Sequence, residues 1–589
     1  MEKVLELIST VVGDAFEAAG YDRELGRVTI SNRPDLCEYQ CNGAMAGAKK
    51  YGKAPFIIAD EVADKLAGND MFEKVESVKP GFLNITVSGD FARSYIVRML
   101  HEKHFGVEMP GHEPTYIIDY GGPNVAKSLH VGHLRSAVIG ESIKRILKYT
   151  GNKVIGDAHL GDWGLQMGLV ITELKERQPD LCYFDPDFTG TYPKEAPFTV
   201  KELGEIYPTA SAKSKEDEDY KARAMEATKL LQDGYKPYRA LWHHIMNVSL
   251  ADLKQNYKNL NVDFDLWKGE SDADPVIPEM VEYMKSHGYA HESQGALVVD
   301  VAEETDTKEI PPCMILKSDG ASLYNTTDLA TIKQRMDENH PQGIIYVVDK
   351  RQELYFTQVF RCARKTKLVM PETELHFVGF GTMNGSDGKP FKTRAGGVMP
   401  LGDLISEIDE KMYSRIKEGN PEMAEDEARD TAHKIALSAL KYGDLSNQPS
   451  KDYVFDIEKF TSFEGDTGPY ILYTIVRIKS ILKKYEAEGG NVKEAKLGNP
   501  DSAAMKDLML LLTRFADAIE SASKDFAPNR ICAYIYDLSN AFNSFYHGTK
   551  ILSESDPDKK SSYIALLNTT LKVLETGIDL LGFASPERM

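Results

Sequence analysis

The sequence predicts a multidomain α/β protein built around a parallel β-sheet. Its 589 residues are enough for about three or four domains. Short apolar runs alternate with helix-length segments between residues 113 and 404, as in parallel strands joined by crossover helices. Beyond residue 404 the hydrophobic spacing is helical. We therefore expect an N-terminal α+β module at 1–112, a parallel-sheet domain at 113–404 and an all-α domain at 405–589.

The elements of each domain follow from local patterns. In the N-terminal module we expect helices at about 2–20 and 41–50, a strand at 81–87 and a linker at 109–112. The candidate strands of the sheet are 115–120, 153–157, 296–301, 344–348 and 375–380. Residues 178–230 are rich in Pro, Asp, Glu, Lys and Tyr and are predicted to form an insertion. Helix packing explains the apolar spacing of Ile531, Ile535, Leu538, Phe542 and Phe545.

The composition is typical of a globular protein in water, with 42% hydrophobic and 27% charged residues. No apolar run approaches the roughly 20 residues that span a bilayer, and the acidic N-terminus lacks the basic start of a signal peptide. The six cysteines are sparse and form no Cys-x-x-Cys motif, which argues against a disulfide framework and a structural zinc site. We expect a cytoplasmic protein with no membrane partner and no metal ligands of its own.

The formal net charge of −20 argues against broad, nonspecific binding of nucleic acid. A specific RNA partner is still compatible with this charge, because a local basic patch suffices. Lys479, Lys483 and Lys484 near Arg477 form one such patch, although the charge pattern alone favours a solvated helix face.

The tetrapeptide His130-Val131-Gly132-His133 stands between a predicted strand, 115–120, and a predicted helix. Free N–H groups and the positive dipole end make such a helix start a phosphate-binding site. Two imidazoles there add donors that can follow negative charge onto a leaving pyrophosphate. Two surface histidines near a helix start are the alternative, and the strand–turn–helix context favours the nucleotide site.

Two further clusters follow predicted strands. His159-Leu160-Gly161-Asp162-Trp163-Gly164 comes after the strand at 153–157, and Asp349-Lys350-Arg351-Gln352 comes after the strand at 344–348. Ligands in open α/β sheets bind at the carboxyl ends of strands, where both clusters should lie. Taken alone, each is explained as well by a tight turn with a packed indole or by a polar surface loop.

Two more clusters carry side chains suited to charged ligands. Tyr324 and Asp328 are four residues apart, so on a helix they share a face and could hold a guanidinium. The glycine-bounded loop 388–397 carries Lys389, Lys392, Thr393 and Arg394, which could clamp a triphosphate. The structural alternatives are a half-buried tyrosine beside a helix-start carboxylate and an exposed basic loop. No Walker A pattern and no nucleophile pair is present.

In this order, the motifs resemble those of the class I aminoacyl-tRNA synthetases, specifically of the arginyl-tRNA synthetase family. The resemblance runs nearly end to end, through Glu38-Tyr39-Gln40-Cys41-Asn42, Gly122-Pro123-Asn124-Val125-Ala126-Lys127, Gly465-Asp466-Thr467-Gly468-Pro469-Tyr470 and Pro586-Glu587-Arg588-Met589. It implies a Rossmann-like catalytic domain, an N-terminal domain that meets the tRNA elbow and a helical anticodon-binding domain.

The resemblance also implies roles at matching positions. The arginine-binding residues would be Asp119, Gly122, Pro123, Asn124, His133, Tyr324, Asp328 and Gln352. The ATP-binding residues would be His130, Gly132, His133, Gly161, Asp162 and Lys392. The catalytic residues would be Lys127, His130, His133, Lys389 and Lys392, and the tRNA contacts would be Tyr39, Gln40, Asn42, Tyr470 and Arg477.

The chain departs from the family pattern at three places. Gly122 stands where the family often has Ser, and the lysine-rich loop is degenerate at Lys389 to Arg394. In family members with this degeneracy a lysine just before the His-x-Gly-His compensates, and Lys127 is placed to do so. In the helical domain Leu472, Thr474, Ile475 and Val476 replace the commoner Gln-Tyr-Ala-His-Ala-Arg pattern.

The implied reaction charges tRNA(Arg) with L-arginine through an arginyl-adenylate made from ATP, with Mg²⁺ neutralising phosphate charge and with tRNA required for activation. We expect a monomer. A small-molecule nucleotidyltransferase is one alternative, and the N-terminal module and long helical region argue against it. A synthetase-like binding protein without catalysis is another, and the intact histidines, Lys127 and the Lys389 loop argue against that.

Overall fold

The computed structural model describes residues 1–127, 129–385, 387–389 and 399–589. The chain forms two compact units. Unit 1 contains residues 1–109, 463–579 and 584–589, and unit 2 contains residues 110–462 and 580–583. Among the helices that these residues form, none has the length and apolar character needed to cross a membrane.

The N-terminal part of unit 1 is an α+β module, as predicted. Its strands β1–β4 form an antiparallel sheet in the order β1-β2-β4-β3. The predicted helix at 2–20, the helix at 41–50 and the strand at 81–87 are present as α1, α2 and β4. The bounds are α1 Val4–Ala18, β1 Val28–Ile30, β2 Tyr39–Cys41, α2 Gly43–Tyr51, α3 Pro55–Leu66, β3 Phe72–Val78, β4 Phe82–Val87 and α4 Gly89–His101.

Unit 2 alternates strands and helices along the chain. The first half comprises β5 Thr115–Tyr120, α5 Val131–Tyr149, β6 Lys153–Asp157, α6 Leu165–Arg177, α7 Val200–Glu216, α8 Glu218–Gln232, α9 Lys236–Asn259, α10 Glu270–Ala273 and α11 Ile277–Ser286. The second half comprises β7 His291–Ser293, β8 Ala296–Val299, β9 Cys313–Leu316, α12 Tyr324–Asn339, β10 Gly343–Asp349, α13 Glu353–Lys365, β11 Glu374–Phe380, β12 Met383–Asn384, α14 Leu401–Gly419, α15 Glu425–Leu445, β13 Tyr453–Val454 and α16 Ile457–Phe460.

A four-stranded parallel sheet in the order β11-β10-β5-β6 confirms the predicted architecture. The chain passes from β5 to β6 on one side and from β10 to β11 on the other. The order in which the chain adds strands therefore reverses between β5 and β10. In open α/β sheets, ligands bind at such a reversal, just outside the carboxyl ends of the strands. The residues after β5, β6 and β10 therefore gather at one edge.

One predicted strand, 296–301, does not belong to this sheet. Its counterpart β8 pairs antiparallel with β7 and β9 in a separate three-stranded sheet. The reason lies in Gln294 and Gly295, whose positive φ angles of 51° and 84° form a two-residue hairpin between β7 and β8. The apolar run alone could not distinguish a hairpin strand from a parallel one.

The remaining elements are helical. Helices α14 and α15 lie in unit 2, and unit 1 is completed by α17 Gly468–Ala487, α18 Ala503–Leu512, α19 Phe515–Lys524, α20 Asn529–Gly548 and α21 Pro557–Leu580. The predicted stripe from Ile531 to Phe545 is buried on α20. Within unit 1, Lys506 of α18 pairs with Glu38 and Glu73, each at 2.8 Å. The three-domain division given above stays a prediction.

Arg135 of α5 joins three segments of unit 2. Its side chain is 2% exposed, and its Nε lies 3.1 Å from Oδ2 of Asp444 on α15. Its Nη1 donates to the carbonyl oxygens of Gly381 at 2.7 Å and Lys451 at 2.9 Å. The helix that follows the His-x-Gly-His motif is thereby fixed to the end of β11 and to α15.

The substitution Arg135→Met should destabilise unit 2 strongly, because it leaves Asp444 buried without its partner. We expect a loss of about 3–5 kcal/mol, measured as a lower midpoint of urea unfolding. Arg429→Met, which removes an exposed arginine that pairs with Glu410 and Glu425, is the matched control and should shift the midpoint little. Equal shifts in the two variants would contradict this account.

Candidate functional site

The histidines of the His-x-Gly-His motif are fixed by backbone amides at the start of α5. Nδ1 of His130 accepts from the N–H of Gly132 at 3.0 Å, and Nδ1 of His133 accepts from the N–H of His130 at 3.2 Å. A Cβ on Gly132 would lie 2.8 Å from the His130 ring, so the motif needs glycine there. Since both Nδ1 atoms accept, each ring carries its proton on Nε2 and can donate from it.

Both imidazoles are neutral at physiological pH. Burial, followed by the positive charge of Lys127, lowers the pKa of His130. Burial, His130 and Lys127 lower the pKa of His133 to about 3. The pair therefore offers neutral N–H donors, and cationic side chains must supply any positive charge for phosphate.

Met399 and Leu401, which follow the loop predicted to clamp phosphate, lie against the start of α5. Val131 donates to the carbonyl of Met399 at 3.1 Å, and Leu401 donates to the carbonyl of Leu129 at 2.9 Å. Lys389 is exposed in a turn closed by a 2.8 Å bond from Gly385. Lys392, with Thr393 and Arg394, lies outside the described residues, so its predicted role stays a prediction.

The residues after β5 and β6 pack closely together. Val125 donates to the carbonyl of Gly161 at 3.0 Å, and Gly161 donates to that of Pro123 at 3.2 Å. A Cβ on Gly122 would lie 1.9 Å from the carbonyl oxygen of His159, so this backbone excludes the serine common in the family. Asn124 is half-buried beside Gly161 at this edge of the sheet, and its predicted substrate contact stays a prediction.

Asp162 was predicted to bind ATP, but its observed contacts are within the protein. Its carboxylate accepts from the backbone N–H of Ser271 at 3.0 Å and from the Ser271 hydroxyl at 2.5 Å. It is 1% exposed, and burial raises its pKa. These bonds fasten the start of α10 to the loop after β6.

Arg335 of α12 occupies the centre of the sheet edge. Its Nη2 lies 2.7 Å from Oδ2 of Asp119 and 2.6 Å from Oδ2 of Asp157, the last residue of β6. Asp119, Asp157 and His159 offer ligand atoms within 4.8 Å of one another. Because a guanidinium bridges the two carboxylates, this group does not fit Mg²⁺. Asp119, predicted to bind arginine, is engaged by a residue of the chain itself.

Asp328 and Tyr324 lie on the first turns of α12, as their spacing predicts. Asp328 is half-buried and accepts from the hydroxyl of Tyr355. Burial raises its pKa to about 6. Tyr324 is 62% exposed, and Gln352 is exposed just after β10.

Glu270 is a candidate that sequence analysis missed. Burial, and then the charges of Asp162 and Asp328, raise its pKa to about 7, and its charge also acts on Tyr324. Since α10, which begins at Glu270, packs against α12, Glu270 lies near the residues predicted to bind a guanidinium. A lone glutamate at the start of the short helix α10 gives no pattern, so only the fold could reveal it.

The predicted tRNA contacts differ in their accessibility. Tyr39 is 1% exposed in the core of the N-terminal module, a position that argues against a tRNA contact. Gln40 donates to Asn84 at 2.9 Å, and Asn42 is exposed. The alternation of side chains along a short strand does not show which face is buried. The sequence therefore could not predict which of these neighbouring residues are accessible to tRNA.

On the helical part of unit 1, Tyr470 and Arg477 are brought together by Asn543. The Asn543 amide donates to the Tyr470 hydroxyl at 2.9 Å, and its oxygen accepts from Arg477 at 2.6 Å. The guanidinium also lies 4.7 Å from the ring centre of Tyr473 and 4.9 Å from that of Tyr546. Lys479 and Lys483 instead pair with Glu587, so the basic patch is partly neutralised.

Comparisons with known proteins show which family the chain resembles. Residues 96–457 match the family described as tRNA synthetases class I (R), catalytic domain; residues 471–589 match the DALR anticodon binding domain; and residues 2–87 match the arginyl tRNA synthetase N terminal domain. Two similar proteins are the arginine–tRNA ligases of Agathobacter rectalis and Alkaliphilus oremlandii, at 62% and 56% identity over the whole of each chain.

Solved structures show the same fold. The arginyl-tRNA synthetase of Plasmodium falciparum aligns over 100% of both chains with a TM-score of 0.80 and 24% identity. That of Thermus thermophilus aligns over 100% of both chains with a TM-score of 0.75 and 22% identity. With family matches that together cover most of its length and relatives above half identity, the chain belongs to the arginyl-tRNA synthetase family.

Proposed function

We propose that this protein ligates L-arginine to tRNA(Arg), using ATP and passing through an arginyl-adenylate. The observation that carries the proposal is the half-buried Asp328–Glu270 pair beside Tyr324, at the same sheet edge as the neutral histidines. A cation bound between two carboxyl groups with raised pKa values would stabilise their ionised forms. A guanidinium is such a cation and offers a planar set of donors.

On the arginine side, Tyr324, Asp328 and Glu270 would hold the guanidinium. Asn124 and Gln352, which follow β5 and β10, would hold the amino-acid end, with Gly122 and Pro123 shaping the floor. Lysine or citrulline would leave the carboxylates of Asp328 and Glu270 poorly paired. The enzyme would therefore discriminate arginine from these amino acids by binding alone, without an editing step. Asp119 would act through Arg335, since its carboxylate already pairs with that guanidinium.

On the ATP side, the arginine carboxylate would attack the α-phosphate in line, and pyrophosphate would leave. The Nε2 protons of His130 and His133 would donate to phosphate oxygens as charge moves toward the leaving group. Lys127 and the Lys389 loop would supply positive charge. Mg²⁺ would arrive with ATP, since the Asp119–Asp157–His159 group does not fit it, and the chain's own residues contribute positioning and donors.

The tRNA 3′-ribose would then attack the adenylate. We propose that the N-terminal domain (1–112) meets the tRNA elbow and that the helical domain (405–589) reads the anticodon, where Tyr473 and Arg477 offer faces on which unpaired bases stack. We propose a monomer, active where cytoplasmic protein synthesis takes place.

Pyrophosphate exchange with ATP, Mg²⁺ and total tRNA tests this function. We expect exchange that depends on arginine among the amino acids and on the presence of tRNA.

Asp328→Asn should lower kcat/KM for arginine about thirtyfold or more, because the guanidinium loses a partly desolvated charge partner. Asp337→Asn, on the exposed side of the same helix, is the matched control. Exchange with a different amino acid would overturn the assignment of the pocket.

Arginine use should depend on pH through the two carboxyl groups. Their raised pKa values mean that both lose charge as pH falls, Glu270 first near 7 and Asp328 near 6. Since kcat/KM reports the free enzyme, kcat/KM for arginine should be level at high pH and fall below pH 7.

Variants assign the steps of this pH profile. Glu270→Gln should remove the step near pH 7, and Glu279→Gln, at an exposed glutamate of α11, should leave it unchanged. A step near pH 7 that persists unchanged in Glu270→Gln would contradict the assignment of that step to Glu270.

A further inference from the structure

Helices α7 and α8, which form most of the predicted insertion at 178–230, are fastened onto α6 by a buried glutamate. Glu173 of α6 is 2% exposed. Its carboxylate accepts from Lys213 of α7 at 2.8 Å, from Tyr220 of α8 at 2.8 Å and from Arg177 of α6 at 2.9 Å. A buried carboxylate with several donors fixes the elements that carry them, so α7 has a defined place in unit 2.

This attachment places Tyr207 of α7 against Lys127. The Tyr207 ring packs on one side against a small core made of Leu169, Ala210, Tyr220 and Ala224. The ammonium nitrogen of Lys127 lies 4.5 Å from the centre of the same ring. That distance is within the range of a cation–π contact, which attracts a cation to an aromatic face.

The backbone of the Lys127 segment is also fixed. Ala126 has a φ of 63°, in the left-handed region that a non-glycine residue rarely adopts. Its N–H donates to the Ser249 hydroxyl of α9 at 3.1 Å. Ala126, Lys127 and Ser249 line one small cavity with Leu203 and Gly204 of α7. Two helices thus hold a short segment that ends three residues before His130.

The ammonium keeps its charge available. Asp252 lines the same cavity as Lys127, but among the residues that the structure describes the Lys127 ammonium makes no ion pair within 4 Å and contacts the Tyr207 ring instead. A carboxylate would neutralise the charge, whereas an aromatic face restricts the side chain and leaves the charge in place. A free lysine side chain loses rotamer entropy when it is fixed, and the contact with the ring restricts the side chain before ATP binds.

We propose that Tyr207 is a positioning residue for adenylate formation: its ring holds the ammonium of Lys127 beside the histidine pair, where the phosphates of ATP would lie. This gives the 178–230 segment a role in the reaction, as the support that presents Tyr207. The inference rests on the proposed function and concerns how one of its cations is placed.

Exchange kinetics with varied ATP, at saturating arginine and tRNA, test the proposal. Tyr207→Leu should lower kcat/KM for ATP about tenfold, the ratio expected for a partly desolvated cation–π contact. Tyr207→Phe keeps the aromatic face and should stay within about twofold of the parent. In a Lys127→Met background, Tyr207→Leu should have almost no further effect, since the contact is already gone.

A second series keeps the shape of the side chain and so avoids loss of folding. Phenylalanine analogues with increasing ring fluorination at position 207 weaken the negative ring face while packing almost unchanged. We expect kcat/KM for ATP to fall steadily along the series in the Lys127 parent and to stay flat with Lys127→Met. Lys213→Met, which loosens α7, should act on the same parameter.

The possible outcomes distinguish failure of the Tyr207 proposal from failure of the proposed function on which it rests. Equal losses for Tyr207→Leu in both backgrounds, or no trend with fluorination, would show that Tyr207 only packs, and the proposal would fail while arginine-dependent exchange persists. Absence of that exchange in the parent protein would instead overturn the proposed function. A rise in activity on removing the ring would mean that Tyr207 withholds Lys127, which also overturns the proposal.

Discussion

A buried guanidinium holds the carboxyl edge of the sheet together. Arg335 bridges Asp119 at the end of β5 and Asp157 at the end of β6, so two neighbouring strands and α12 share one ion-pair network. Without it, two carboxylates would face each other in a buried site at high cost. The same α12 carries Tyr324 and Asp328, so the network that stabilises the edge also sets where the candidate substrate residues stand.

In the candidate site, different residues supply hydrogen bonds and electric charge. Backbone amides hold both histidines as neutral donors, and the positive charge of Lys127 acts on both rings. Glu270 and Asp328 concentrate negative potential on the amino-acid side. Placing opposite potentials at two ends of one edge orients a substrate pair in which one molecule is cationic and the other anionic.

Local patterns made much of this fold predictable. The four strands of the parallel sheet and the helix after His130-Val131-Gly132-His133 follow from runs and spacings within a few residues. The Arg335–Asp119 pair joins residues 216 positions apart, and no local pattern signals it. Glu270 and Tyr207 were missed for the same reason. The buried state of Tyr39 and the hairpin at Gln294-Gly295 depended on neighbours that only the folded chain supplies.

The raised pKa values of Glu270 and Asp328 have a thermodynamic consequence for ligand binding. Near neutral pH the empty pocket carries a fraction of bound protons, and a bound guanidinium would favour the ionised carboxylates. Binding of the cation would therefore release protons into solution, so the affinity for the cation and the release of protons are linked. The heat of binding would then depend on the ionisation enthalpy of the buffer that accepts those protons.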